Sequence, residues 1–447
     1  MLSDRKRWLA LYMLCAGELM IVLDTTVVNV ALPSIQSDLG FTEAALVWVV
    51  NAYMVTYGGF LLLGGRLGDL FGQRRLFLAG TVLFTVASLA CGLAQSQGVL
   101  IAARAVQGLG GAVVSAIALS LIMNLFSEAG ERAKAMGIYG FVCAGGGSLG
   151  VLAGGVLTSA LSWHWIFLIN LPVGVAVYAA CVALLPRDGA AASRPKLDIA
   201  GAASVTTASM LVIYGIVNSQ WPIVIAGVVL FAAFIAIEAK VKEPLMPLRL
   251  FRKRSVSVTN AIGVLWAAYM FAWFFISALY MQHVLGYDPM QIGLAFLPSN
   301  LIMAVFSIWL SAKIVMRYGL RLPIIGGMFI SALGLAAFAL APSGGGFWLH
   351  VLPGMLLLGL GCGMALNPVM LAAMGDVAPE ESGLASGVVN TSFMMGGSIG
   401  LAALASLAAG SGYHAAFAVG ALFALLAAVL GVLLPASAQQ RAEAPAA

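Results

Sequence analysis

Charge is what this chain has least of. Only 9% of its 447 residues are Asp, Glu, Lys or Arg, against about a quarter in an average soluble domain. Hydrophobic residues make up 62%, more than a soluble globule of this size can hide, and disorder needs the opposite composition. Cysteine is sparse too. Cys15, Cys91, Cys143, Cys181 and Cys362 all fall inside apolar runs, so they read as small packing residues rather than a disulfide framework or a metal site. No Lys follows a Gly anywhere. A Walker A phosphate loop is therefore absent, and ATP-driven pumping on this chain is excluded. No His-Glu-x-x-His metal motif is present, and the loops are too short for a catalytic domain, so no residues carry an enzymatic role. The net charge of +5 is no nucleic-acid signal, because where the charges sit matters more than their sum.

What is present is a series of long apolar runs, which defines a polytopic all-α integral membrane protein. A transmembrane β-barrel would show alternating segments of about ten residues instead. The first run is too long and too polar within for a cleaved leader, and reads as a retained helix. Six runs end near Leu185, two more cover Leu197–Val217 and Trp221–Ile237, and six follow from Val256. That predicts fourteen transmembrane helices, with Trp221–Ile237 either a full span or half of a shallow hairpin. The expected organisation is an N-terminal six-helix bundle over 1–190, a two-helix insert over 191–243 and a C-terminal six-helix bundle over 244–447.

Basic residues test this count, since they gather in cytoplasmic loops. With fourteen spans, 21 of the 22 Lys and Arg fall on one side. Both termini are then expected in the cytoplasm.

Glycine patterns recur between the halves. Gly147-Ser148-Leu149-Gly150 matches Gly397-Ser398-Ile399-Gly400, Gly108-Leu109-Gly110 matches Gly359-Leu360-Gly361, and Gly72-Gln73-Arg74 matches Gly319-Leu320-Arg321. Three matches in order, at near-constant offset, point to two duplicated, pseudo-symmetric six-helix bundles. Such halves build alternating-access transporters, with the substrate site near the midplane.

The one basic residue inside a span is Arg104, and the acids within the first span are Glu18 and Asp24. A charge at mid-bilayer costs about 2.5–3.5 kcal/mol on the insertion scale, so it is kept for function and paired. By helical rise, Asp24 and Arg104 lie at similar depth and are natural partners. The pair is either a static tie between two helices or a protonation switch that biases a two-state element. Glu18 lies about 120° round the helix from Asp24. It is a second proton site or a satisfied interhelical group. All four His (His164, His283, His350, His414) fall at the outer ends of spans, poor places for a midplane relay.

Five motifs now carry a resemblance. Leu23-Asp24-Thr25-Thr26-Val27-Val28-Asn29-Val30-Ala31-Leu32-Pro33 closes the first span. Gly65-Arg66-Leu67-Gly68-Asp69-Leu70-Phe71-Gly72-Gln73-Arg74-Arg75 follows the second. Arg104-Ala105-Val106-Gln107-Gly108-Leu109-Gly110-Gly111 lies in the fourth, Gly150-Val151-Leu152-Ala153-Gly154-Gly155 in the fifth, and Trp163 to Gly174 comes next. Together these resemble the fourteen-helix drug:proton antiporter family of the major facilitator superfamily, densely over the N-terminal half and through topology beyond it. The resemblance implies proton-motive export of lipophilic or amphiphilic compounds, including antibiotics and dyes. It implies no cofactor beyond protons as coupling ion. It places the chain in a bacterial cell membrane, as a monomer, with a periplasmic adaptor as an open partner. An exporter of one endogenous metabolite, antibiotic or lipid precursor is the alternative.

Each motif also has a physical reading. Gly65, Gly68 and Gly72 permit a tight turn after the second span. Asp69, Arg74 and Arg75 there can latch one conformational state. Gly146, Gly150 and Gly154 share one helix face, beside Gly155, as a small-residue stripe for close packing. Val151 stands where the family motif has Pro, so any bend falls to the glycines. No acid occurs in the spans of the C-terminal half, which confines coupling to the N-terminal half. Trp266, Tyr269 and Trp273 are either lipid-facing or a stacking wall for flat substrates. Asn51, Asn300, Asn367 and Asn390 are either cavity groups or interhelical bonds.

Overall fold

The computed structural model describes residues 4–434, apart from 127, 187–197, 242, 243, 245, 247, 307–309, 343–345 and 375–381. All its regular elements are helical. In lipid every backbone N–H and C=O must bond within its own segment, and an apolar run does this as a helix.

The chain runs through α1 (Asp4–Leu39), α2 (Glu43–Phe71), α3 (Gln73–Gly92), α4 (Gln97–Leu125), α5 (Ala129–Ala160), α6 (Trp165–Leu168) and α7 (Asn170–Leu184). Next come α8 (Ile199–Val217) and α9 (Trp221–Glu238). After them follow α10 (Arg254–His283), α11 (Pro289–Val305), α12 (Ser311–Tyr318), α13 (Arg321–Ala339), α14 (Leu352–Met374), α15 (Ser382–Ser411) and α16 (Tyr413–Gly431). Among the described residues, twelve helices are long and apolar enough to cross a membrane, α9 among them. Leu149–Ala160 and Pro289–Val305 are shorter apolar helices.

The chain divides into two compact units. One comprises Met1–Phe41, Trp48–Ala208 and Leu230–Leu245; the other comprises Thr42–Val47, Ser209–Val229 and Met246–Ala447. The insert helices α8 and α9 are thus shared out between them.

Within the first unit, glycines set how closely the helices approach. Gly146, Gly150 and Gly154 of α5 lie against Val22, against Thr26 and Leu23, and against Val27 of α1, with Gly155 buried beside them. A Cβ at Gly154 would meet the Val27 carbonyl at 2.7 Å, whereas one at Gly147 would meet only the Thr26 methyl, at 3.9 Å. Gly154→Ala must push backbone aside and is expected to cost about 1–3 kcal/mol. Thermal unfolding in detergent checks this: Gly154→Ala should melt well below the native protein, and Gly147→Ala close to it.

The duplication is legible in each unit's own packing. Gly108 of α4 lies on the backbone of Tyr53, and Gly359 of α14 lies on that of Ser299. Gly110 meets Gly80 and Phe84 of α3, and Gly361 meets Gly327 and Ser331 of α13. Gly146 and Gly150 seat on Val22 and Thr26 as Gly396 and Gly400 seat on Val264 and Ala268.

The segment around 65–75 differs from the expected loop. Residues 65–71 continue α2, and only Gly72 interrupts the helix before α3 begins at Gln73. Gly72 has φ 93°, and its repeat partner Gly319 has φ 71°, a backbone region that costs a side chain but not glycine. Gly68 is spent differently: it makes room for Ile117 of α4. Glycine in the sequence suggested a turn, but close packing of a continuing helix uses the same residue.

Candidate functional site

Asp24 and Arg104 meet in the interior of the first unit. Asp24 sits in α1 and Arg104 in α4; they are 0% and 1% exposed. Nη1 of Arg104 donates to Oδ2 of Asp24 in a buried ion pair. Transfer of two charges out of water is costly and is offset only when all remaining polar atoms find partners. Here they do.

Gln107, one turn beyond Arg104, joins the pair from both sides. Its Oε1 accepts from Arg104 Nη1 at 2.6 Å, and its Nε2 donates to Asp24 Oδ1 at 2.8 Å. The same Nε2 donates to Ser88 Oγ of α3 at 2.8 Å. Asn170, the first residue of α7, donates through Nδ2 to Asp24 Oδ1 at 3.0 Å. Arg104 Nε donates to the Val49 carbonyl at 2.9 Å. The guanidinium carbon lies 4.4 Å from the Tyr53 ring centre and 5.6 Å from that of Phe167, cation–π contacts that strengthen where water is excluded.

The chemistry of this arrangement follows from its donor inventory. Each hydrogen-bonded neighbour of the Asp24 carboxyl is a donor: a guanidinium and two amides. A protonated carboxyl adds a donor of its own. Among the described contacts no acceptor meets the carboxyl, so a proton on Asp24 breaks one of these contacts. Proton binding and helix contact are thereby linked.

Glu18 lies apart from this network. It is buried on another face of α1, with the hydroxyls of Ser115 and Tyr139 facing its carboxyl, while Oε2 has no hydrogen-bond partner among the described residues. At the start of α3, Gln73 Nε2 donates to Ser120 Oγ at 2.7 Å, and Asn124 donates to its Oε1 at 2.9 Å. Arg74 donates to the Val182 carbonyl at 2.7 Å, Arg75 is exposed, and Gly65 has open space around it. The side chain of Asp69 lies outside the described residues.

The aromatic residues of α10 are not lipid-facing. Trp266, Tyr269 and Trp273 are all buried, because α10 is covered on most of its circumference. Trp266 packs on Phe393, and the Tyr269 hydroxyl donates to Met328 Sδ at 3.5 Å. Asn51 in the first unit and Asn300 in the second are buried; Asn367 and Asn390 are half-buried. Among the described residues, no cluster of His, Cys, Asp or Glu could hold a metal ion.

The two units do not repeat this site. The offset that carries Val22 to Val264 carries Asp24 onto Trp266, and the one that carries Gly108 to Gly359 carries Arg104 and Gln107 onto Met355 and Leu358. The packing glycines recur; the charges and their amide partner do not.

Sequence comparison places this bundle of apolar helices, with its buried ion pair, among membrane transporters. The Major Facilitator Superfamily family model matches residues 14–366 and 258–447, and the chain belongs to that superfamily. It is 39% identical to the puromycin resistance protein pur8 of Streptomyces alboniger, over 91% of this chain and 83% of that one. It is 38% identical to the cephamycin export protein CmcT of Amycolatopsis lactamdurans, over 96% and 93%. The crystal structure of the POT family transporter PepTSo shares its fold at a TM-score of 0.72 and 16% identity, over 97% of this chain and 98% of that one.

Proposed function

We propose that this transporter is a proton-coupled secondary exporter, a multidrug:H+ antiporter of fourteen spans working by alternating access. It would sit in a bacterial cell membrane with both termini in the cytoplasm. The observation that carries the reading is the donor-only shell around Asp24. A proton arriving from outside neutralises Asp24, its bond to Arg104 weakens, and helices α1 and α4 gain freedom to shift toward the state that releases substrate outward. Gln107 and Asn170 hold the carboxyl in place between turnovers. Glu18 offers a second carboxyl on the same helix for proton or substrate. The inner end of α2 and the start of α3, from Gly65 through Gly72 to Arg75, supply the latch whose release accompanies the change.

The alternative is export of a single self-made compound, and a specific observation keeps it in view. One relative is named for cephamycin export, and another, 34% identical over 90% of this chain, as a probable actinorhodin transporter.

Inverted membrane vesicles separate these readings. With an imposed pH gradient and no ATP, vesicles carrying the protein should accumulate puromycin, a cephamycin and lincomycin, and a protonophore should abolish all of it. Accumulation of one compound alone favours the dedicated exporter. Accumulation that survives the protonophore contradicts proton coupling.

A further inference from the structure

The charge network leaves the polar groups of the second unit without a role. Along one face of α10, Thr259, Trp273, Ser277 and Tyr280 recur at helical spacing. All four are buried, and the hydroxyl or indole N–H of each has no hydrogen-bond partner among the described residues. Buried polar atoms are almost always paired, so an unpaired series calls for an explanation.

Trp273 Nε1 is the donor-only member of this set, and a second buried donor without a partner among the described residues is Nδ2 of Asn300 on α11. A short turn joins α10 to α11. Counted from it, Trp273 is ten residues back along α10 and Asn300 is eleven residues into α11. Both therefore lie about 15–17 Å from the turn, at one depth. Aromatic rings lie beside them. Phe296, one turn before Asn300, packs edge-on to the Trp273 ring at 5.9 Å, and Phe274 lies 4.6 Å from Trp273 and 5.3 Å from Phe296. Around these donors the spans of the second unit offer no carboxylate to attract a cation. Lys313, Arg317 and Arg321, which could attract an anion, gather near the junction of α12 and α13.

We propose that the second unit recognises the exported compound by its hydrogen-bond acceptors. The feature it reads is a carbonyl-type oxygen, which puromycin, cephamycins and lincomycin all carry, held beside Phe296 and Trp273 and bonded by Trp273 Nε1 and Asn300 Nδ2. This rests on the exporter reading for its physiological meaning. Division of labour follows from the asymmetry of the duplication: the first unit keeps charges for protons, and the second keeps neutral donors for cargo.

Equilibrium binding tests it directly, on the full chain in lipid nanodiscs corrected with empty nanodiscs. The probes are fluorenone, fluorene and 9-aminoacridine, three flat tricycles of which only the first is a neutral acceptor. Native protein should bind fluorenone at least about fivefold more tightly than fluorene, the worth of one net hydrogen bond, and more tightly than the cation. Trp273→Phe and Asn300→Leu should each remove about that factor for fluorenone while leaving fluorene unchanged. Equal binding of fluorenone and fluorene by native protein, or preference for 9-aminoacridine, overturns the proposal. So does a fluorenone-to-fluorene ratio that neither substitution moves. A variant that loses fluorene as well has lost its fold, and the ratio in native protein then decides. Binding is read without transport, so loss of proton coupling in the vesicle assay and loss of acceptor preference here are separate outcomes.

Discussion

Asp24→Asn is expected to reduce gradient-driven substrate accumulation in inverted vesicles to the level of vesicles lacking the protein, with the chain still folded in the membrane. The amide fills the space of the carboxyl, and its oxygen can still accept from Gln107 Nε2 and Asn170 Nδ2, the two donors that meet Asp24 Oδ1. What it cannot do is gain or lose a proton. Arg104 loses its counter-charge but keeps its bonds to Gln107 and the Val49 carbonyl and its place over Tyr53 and Phe167. Those contacts limit the damage to stability. The damage to coupling is far larger, because Glu18 lies apart from Arg104 and the second unit carries Trp266 where the first carries Asp24.

Arg104→Met should do greater harm to the fold. It strands a carboxylate that is fully buried, with two amides as its remaining donors. Removing one partner of a buried pair costs about 3–5 kcal/mol, because the other charge stays behind uncompensated. The methionine itself fits such a position: Met355 occupies the equivalent place in α14, fully buried. The double variant Asp24→Asn with Arg104→Met should therefore recover much of the lost stability, with efflux still absent. Thermal unfolding of the three variants in detergent checks the order, in which Arg104→Met unfolds first. An Arg104→Met protein as stable as the native one would mean that the carboxylate finds compensation elsewhere.

The parts of this site that the sequence made visible are those that membrane physics makes rare. A carboxylate and a guanidinium in apolar runs stand out, and helical rise puts them at one depth. Gln107, Ser88 and Asn170 did not stand out. Neutral polar residues are common enough in spanning helices that only a partner in space distinguishes them, and Asn170 is 146 residues from the carboxyl that it meets. Asn170 did lie within a quoted motif, and Gln107 three residues from Arg104, so the signal was present without its meaning. The glycines of 65–72 show the reverse case. A flexible residue looks like a turn until the neighbour that needs its missing side chain is known, and for Gly68 that neighbour is Ile117, on a helix far along the chain. Burial of Trp266, Tyr269 and Trp273 was likewise hidden, since a helix apolar all round gives no hint of which face meets lipid.

The central claim is that proton binding at Asp24 drives the transport cycle, against the alternative that the pair to Arg104 is a fixed tie. One preparation of proteoliposomes tests it, comparing native protein with Asp24→Asn for two reactions of labelled puromycin: exchange across the membrane at equal pH, and uphill movement under an imposed pH gradient. The account predicts that the variant keeps exchange and loses uphill movement entirely. Uphill movement by Asp24→Asn at the native rate would contradict it.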